Sequence, residues 1–515
     1  MTVATTRCDR PRLWQHRALW LVAVLLATLA AVGPARAETL RVGIASLPPS
    51  YGNPFMANGL PGTLTWHQLF DGLTALDENG QVAPGLAVSW TLEQPTRWRF
   101  TLRPDAVFSN GRPFTAEAAK ATFDWLKSEA GRGTVVANEL RGISQVSVVG
   151  PHELVIETTR PDPILPNRLA AIMIVEPEAW RELGPHGFAR RPVGTGPYRV
   201  ERWQNANGAA VLVANPHAWD PPAIGRVEIY PLSDHASRLQ AAVSGQLHVA
   251  GSMRPEHIAT FKRRGFSAMV DPIKQVLSIA FDLTGHPDSP MQDRRVRQAL
   301  NHAVDRQAIA ELITYGTTHP ASQGAAPGTF GHNPDIEPYA YAPDRARALL
   351  AQAGYADGFA FSATVVIGSY ANDLEIYQKI QQDLAAVGVD VTFDGTIFAN
   401  WIRQYLFGTW DSEAFLLSWN STPYNDALRP MEYFSCKKAN PFFCDQAMMP
   451  DIQAAATELD RTRRERLLQD LQSAFHDAAP CLFLLELGGV WVFSDQLSGF
   501  GMRSRVPQLA DISFR

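Results

Sequence analysis

Residues 361–393 carry the pattern that most constrains this chain. The run Phe361-Ser362-Ala363-Thr364-Val365-Val366 precedes a helical stretch at residues 374–387, which stops at Gly388 before Val389-Asp390-Val391-Thr392-Phe393. Strand, helix, glycine stop and strand together make an α/β unit. The same order recurs upstream. Asp234 is placed to cap a helix bearing Leu239, Ala242 and Val243, which ends at Gly245 before Leu247-His248-Val249. Pro343 opens another helix with Ala346, Leu349, Leu350 and Ala353 on one face and Gly354 past its end.

The first third mixes sheet and helix. Leu40-Arg41-Val42-Gly43-Ile44 reads as a buried first strand, and Trp98-Arg99-Phe100-Thr101-Leu102 alternates with period two. Thr115 precedes a helical run starting at Glu117 and is its expected N-cap. Val146-Ser147-Val148-Val149 and Leu154-Val155-Ile156-Glu157 flank Gly150-Pro151 as a hairpin. After Gly194-Thr195-Gly196-Pro197-Tyr198 come the strand runs Val211-Leu212-Val213 and Val227-Glu228-Ile229-Tyr230. No internal repeat or low-complexity tract interrupts them.

Four arginines, Arg7, Arg10, Arg12 and Arg17, precede an apolar run at residues 18–32 that closes on Ala35-Arg36-Ala37. This is the layout of a cleaved export signal, so the mature chain is expected to begin at Glu38 and to work in the periplasm. The run is shorter than the roughly 20 residues of a membrane span, and Cys8 lies within the leader, so no lipid anchor is expected. Without the leader's five arginines and Asp9, 41 basic residues face 50 acidic ones, a net charge of −9 that argues against nucleic-acid binding. In an oxidising compartment Cys436 and Cys444 can close a small disulfide loop. A metal site is the weaker alternative, because the spacing is not C-x-x-C and no histidine lies between them. Cys481, in the apolar run Cys481-Leu482-Phe483-Leu484-Leu485, is expected to be a buried, inert thiol.

Signatures of catalysis are missing. There is no G-x-S-x-G elbow, H-E-x-x-H helix or phosphate-binding G-x-x-x-x-G-K-[ST]. Gly194-x-Gly196 is followed by Pro197, which has no N–H to offer a phosphate. The expectation from these absences is that the chain is not an enzyme, with no cofactor and no metal.

Leu69-Phe70-Asp71-Gly72-Leu73, Asp77-Glu78-Asn79-Gly80 and Pro84-Gly85-Leu86-Ala87-Val88-Ser89-Trp90 open a series of matches to a known family. Phe100-Thr101-Leu102-Arg103, Val107-Phe108-Ser109-Asn110-Gly111 and Phe114-Thr115-Ala116-Glu117 continue it, followed by Gly194-Thr195-Gly196-Pro197-Tyr198. The run from Arg295-Val296-Arg297 through Ala303-Val304-Asp305-Arg306 and the run from Tyr341-Ala342-Pro343 through Ala353-Gly354-Tyr355 complete it. In this order and spacing the chain resembles the family-5 extracellular solute-binding proteins, periplasmic receptors of dipeptide, oligopeptide, nickel and related ABC importers. The resemblance implies an α/β, two-lobed periplasmic binding protein (class II, cluster C type) with an extra α+β domain on the first lobe. It places the signal at 1–37, lobe I at 38–72, 190–276 and 484–515, the additional domain at 73–189 and lobe II at 277–483. Crossover strands are expected at Leu277-Ser278-Ile279-Ala280-Phe281 and Val490-Trp491-Val492-Phe493. The implied partners are a small-molecule or peptide ligand and an ABC permease in the inner membrane, with the receptor itself a monomer that closes on its ligand.

Peptide-binding relatives carry aspartates after a tryptophan in the second lobe, one of which pairs with the ligand's α-ammonium group. Here the run is Trp419-Asn420-Ser421-Thr422-Pro423-Tyr424-Asn425-Asp426, with Thr422 and Asn425 where those relatives have acids. A shift of one residue makes Asp426 the ammonium partner. Nickel-binding relatives use a histidine just beyond, where this chain has Ala427. Other ligand candidates are Tyr51 and Phe55 as aromatic walls, Arg132 for a carboxylate, and Trp401, Arg403 and Tyr405 from the second lobe. The expected cargo is a short or modified peptide. A non-peptide solute (an opine, a glutathione-like thiol, a metal chelate or a haem compound) is the same-fold alternative, and a secreted hydrolase or chaperone is the alternative from another class.

Overall fold

The computed structural model describes residues 1–4, 38–56, 60–503 and 505–515. The export signal therefore lies, apart from its first four residues, outside the described residues. Among them, no helix is long and apolar enough to cross a membrane.

One sheet of eleven strands runs through the molecule. From one edge its order is Val389–Thr396, Phe359–Val366, Ala414–Asn420, Phe266–Phe281, Cys481–Ser494, Val249–Ala250, Thr39–Ile44, Arg226–Pro231, Ala210–Ala214 and Tyr198–Arg202, while the short His319–Pro320 pairs beside Cys481–Ser494. The α/β unit read from residues 361–393 is present. Phe359–Val366 and Val389–Thr396 lie parallel, joined by the helix Asp373–Ala385, and Gly388 supplies the left-handed turn between helix and strand with φ 87°.

The core divides where the sheet does. One apolar cluster is built entirely from residues between Val276 and Leu487. A second takes residues from Leu40 to Val249 and from Trp491 to Ile512, and a third, smaller one packs Ala241, Phe261 and Phe266 with Val490 and Val492. The chain passes between the two large clusters twice, through Phe266–Phe281 and through Cys481–Ser494. These two long strands are antiparallel, and their register slips between Pro272 and Val276, opposite the stretch from Gly488 to Glu486. A proline cannot donate to a ladder and a diglycine carries no side chain to pack, so the break falls there. The segments expected to hold the crossovers, residues 277–281 and 490–493, lie in these two strands on either side of the break, and a second register shift falls between Leu277 and Ser278.

A separate four-stranded antiparallel sheet has the order Ala87–Gln94, Arg97–Leu102, Glu153–Thr158, Ile143–Gly150. Its hairpin joins the two alternating runs on either side of Gly150-Pro151, and the helix Ala116–Lys127 packs on it. Thr115 stands at the N-cap position of that helix but makes no side-chain cap, whereas Asp234 does cap its helix by accepting from Ser237 N–H at 2.7 Å. The buried residues of this sheet, among them Phe100, Leu154 and Ile156, belong to the same apolar cluster as Val42 and Ile229 of the large sheet. The additional unit thus has its own sheet and a core shared with the first lobe.

Two of the quoted motifs hold each other. Gly194 and Gly196 lie against the backbone of Leu69, so close that a Cβ would fall 2.2 Å from Leu69 O at Gly194 and 2.6 Å from Leu69 C at Gly196. Thr195 Oγ1 donates to Asp71 Oδ2 at 2.7 Å. The motif helix Arg294–Ala303, capped by Asp293, buries Val296 and Leu300. Its Arg297 and the following Arg306 are buried and donate to main-chain carbonyls, Arg297 to Ala478 and Ala479 and Arg306 to Asn301 and Phe483, fastening the motif to the second long strand. Cys436 and Cys444 form a disulfide with their Cα atoms 4.5 Å apart, and Cys481 is free and buried. Burial pushes the Cys481 thiol up to about 12, which keeps it protonated and unreactive.

Candidate functional site

Between the lobes lie two adjoining chambers, of about 250 Å³ and about 370 Å³. Thr422, Arg503, Arg505, Gln508 and Asp511 line both, so the chambers are parts of one cleft. The first is walled by Trp66, Phe70, Asp71 and Trp219 of lobe I and by Met173 of the additional unit, with Asn420, Thr422 and Pro423 reaching in from lobe II. Residues at the strand break, Asp271, Pro272 and Lys274, wall the second, facing Glu78, Gly80 and Asn425. An apolar wall with a few fixed polar groups is the usual makeup of a small-ligand site.

Asp71 accepts from Thr195 Oγ1 and from Trp219 Nε1 at 3.1 Å, and the Arg103 guanidinium lies 3.8 Å from the centre of the Trp219 ring. Burial nevertheless pushes the Asp71 carboxyl above the usual range. Asp271 is also pushed up by burial, against the pull of Arg505 and Lys274. Burial pushes both Arg505 and Lys274 down.

On the second long strand, Glu486 stands opposite Val276, and burial raises its carboxyl to about 7 against the opposing pull of Lys274. The folded protein therefore holds this proton more tightly than the unfolded chain does. Its contribution to stability is complete below about pH 4.5 and is lost as pH rises through about 7. Urea unfolding of Glu486→Gln from pH 4.5 to 7.5 is expected to show a shallower fall in stability than the parent; identical slopes would refute this assignment.

The structure separates the residues expected at the site. Asn420 and Thr422 line the cleft, and Asn425 borders the second chamber. Trp419 does not reach the cleft. It is fully buried, stacked on Phe434 at 3.9 Å, with Nε1–H donated to Cys481 Sγ at 3.4 Å. Asp426 is no ammonium partner, because its two oxygens receive both Arg464 Nη1 at 2.6 Å and Nη2 at 2.9 Å in a buried fork. Tyr424 is buried beneath the guanidinium groups of Arg168 and Arg429.

Phe55 is a core residue packed on Trp125 and Trp180, and Tyr51 packs edge-on against Trp203. Trp401 is buried in a stack with Phe398 and Tyr405, its Nε1–H donated to Leu416 O at 2.9 Å. Arg132 and Arg403 are exposed, and neither lines the cleft; the Arg132 Nε–H is donated to Ser128 O within its own loop. The charged lining of the second chamber, Glu78, Asp271, Lys274, Arg503, Arg505 and Asp511, went unread as a site. Its only visible signals were the Asp271-Pro272 break in an apolar strand and the paired arginines Arg503-x-Arg505 near the C-terminus.

The lobes also touch through direct hydrogen bonds, in part at the edge of the second chamber. Asn425, with left-handed φ 52°, donates Nδ2–H to Gly80 O at 3.1 Å and to Gly328 O at 3.0 Å. Asn167 donates to Tyr424 O at 2.9 Å, and Arg461 to Gln81 Oε1 at 3.1 Å.

The model of the bacterial extracellular solute-binding proteins, family 5 Middle, matches residues 81–441. The glutathione-binding protein GsiB of Salmonella typhimurium is 27% identical over 503 residues, covering 93% of this chain and 95% of that protein. HbpA2 from Haemophilus parasuis superposes with TM-score 0.80 at 21% identity, over 93% of this chain and 100% of the other. The periplasmic binding protein DppA from Helicobacter pylori, solved with the peptide STSA, gives 0.77 at 18% identity, over 92% and 98%. These are two-lobed periplasmic binding proteins with the same fold. The chain belongs to the family 5 bacterial extracellular solute-binding proteins.

Proposed function

We propose that this solute-binding receptor captures a short or modified peptide in its interlobe cleft and delivers it to the permease of an ABC importer. The observation that carries the reading is the pair of connected chambers walled by both lobes and by the strand break between them. A ligand there touches both lobes at once, so binding energy goes directly into closure. Nothing in this mechanism needs bond chemistry, and the protein acts in the periplasm as a monomer without a cofactor. Because Asp426 is committed to Arg464, an ordinary peptide amine has no acid at that place. This favours a modified peptide, and glutathione is a first ligand to try, given the similarity to a glutathione-binding protein. Small-angle scattering and native mass spectrometry of the mature protein test the reading. A bound peptide-like mass with compaction supports it, and no compaction with any tightly held solute overturns it.

Closure itself has a sensitive point. Gly80 has φ 75°, and a Cβ there would lie 2.3 Å from Asn425 Nδ2. Gly80→Ala strains the turn by about 1–2 kcal/mol whether the lobes are open or closed, but obstructs Asn425 only in the closed form. Losing a hydrogen bond of about 1.4 kcal/mol from that form is expected to weaken ligand binding about tenfold. Calorimetry beside thermal melting checks this: a stability loss with unchanged affinity would show that the contact does not contribute to closure.

A further inference from the structure

The charged groups of the second chamber are unequally satisfied. Lys274 donates Nζ–H to Pro327 O at 2.6 Å, Arg503 and Asp511 bridge each other at 3.2 Å, and Glu78 lies exposed at the rim. Asp271 and Arg505 remain. Asp271 is 8% exposed and Arg505 is partly buried with its side chain lining both chambers. Both line the second chamber without closing an ion pair, and neither side chain has a hydrogen-bond partner among the described residues.

Arg505 is also conformationally costly. Met502–Arg503 pairs with Val506–Pro507, and the turn between them holds Arg505 at φ 70°, a region where a non-glycine residue costs about 1–3 kcal/mol. A buried carboxylate and a partly buried guanidinium that close no ion pair leave a gap with negative charge on one wall and positive charge on the other. A lone anion entering it is held by Arg505 and repelled by Asp271, and a lone cation the reverse, with the Lys274 ammonium adding positive charge beside Asp271. A group carrying both charges side by side satisfies both walls.

We propose that the second chamber receives an α-amino-acid head group, with ammonium and carboxylate on one carbon, its ammonium on Asp271 and its carboxylate on Arg505. The inference rests on reading the cleft as the ligand site and narrows the solute class. An ordinary α-peptide carries its ammonium and carboxylate at opposite ends, whereas a solute joined through a side chain, such as a γ-glutamyl peptide, keeps them together. Arg505 also faces the first chamber, so the remainder of such a solute extends toward Trp66, Phe70 and Met173.

Calorimetry on the mature protein tests this, using a γ-glutamyl tripeptide, its N-acetyl and α-carboxamide forms, and a set of α-dipeptides and α-tripeptides. The γ-glutamyl compound is expected to bind, and either blocked form to bind at least tenfold more weakly, since each loses a charge-assisted hydrogen bond. Asp271→Asn is expected to remove the penalty for acetylation, and Arg505→Gln the penalty for the carboxamide. Melting curves of both variants confirm that they fold. Tight binding of a blocked form, or of α-peptides with both variants unaffected, overturns the inference while the receptor reading stands. No binding or compaction with any of these solutes counts against both.

Discussion

Replacing Asp426 by alanine is expected to lower the stability of the protein by about 3–5 kcal/mol. The carboxylate sits 2% exposed against an Arg464 that is 3% exposed, held by two nitrogens of the guanidinium fork, and it also accepts from Leu428 N–H at 3.0 Å. Removing it leaves a buried arginine whose remaining side-chain bond is the 2.9 Å donation from Nε to Ala455 O. The large cost is the unpaired charge, not the worth of the pair. The double change Asp426→Leu with Arg464→Met is therefore expected to recover most of the loss. Urea unfolding of the two variants measures this. If Asp426 instead served the ligand, the single change would leave unfolding nearly unmoved and reduce affinity.

Trp419→Ala is expected to cost a similar 3–5 kcal/mol, by a different route. The indole is fully buried between Phe434, Phe475 and Phe483, with ring centroids 3.9, 5.2 and 5.8 Å away. Gly324 backs directly onto it, so near that a Cβ at that position would meet the ring at 2.1 Å. Packing on every side leaves little room for collapse, so truncation opens a cavity. Trp419→Phe keeps most of the apolar volume and is expected to lose much less. Thermal melting of the two variants decides it, and comparable small losses in both would show that the site relaxes around a missing ring.

These two residues show what a linear reading reaches. The α/β unit around Gly388, the hairpin around Gly150-Pro151 and the seat of Gly194 and Gly196 were legible, because glycine freedom and apolar period are local properties. The role of the loop after Trp419 was not. Its acid is claimed by Arg464, 38 positions along the chain, and no spacing rule announces such a pairing. Trp419 precedes a polar loop and looks like a pocket wall, yet the period of two along Ala414–Asn420 turns it inward while Asn420 faces the cleft. The second chamber draws its charged lining from three segments far apart in the chain, around Glu78, around Asp271 and Lys274, and from Arg503 to Asp511.

The two long strands that join the lobes carry a mechanical consequence. A body tethered by one flexible link can swivel in three directions. Two antiparallel links bonded side by side, each interrupted at the same level near Pro272 and Gly488, resist twisting and sliding and leave chiefly one rotation. The receptor's accessible shapes then form a single series between open and shut. A permease that recognises the shut end of that series reads occupancy without touching the solute.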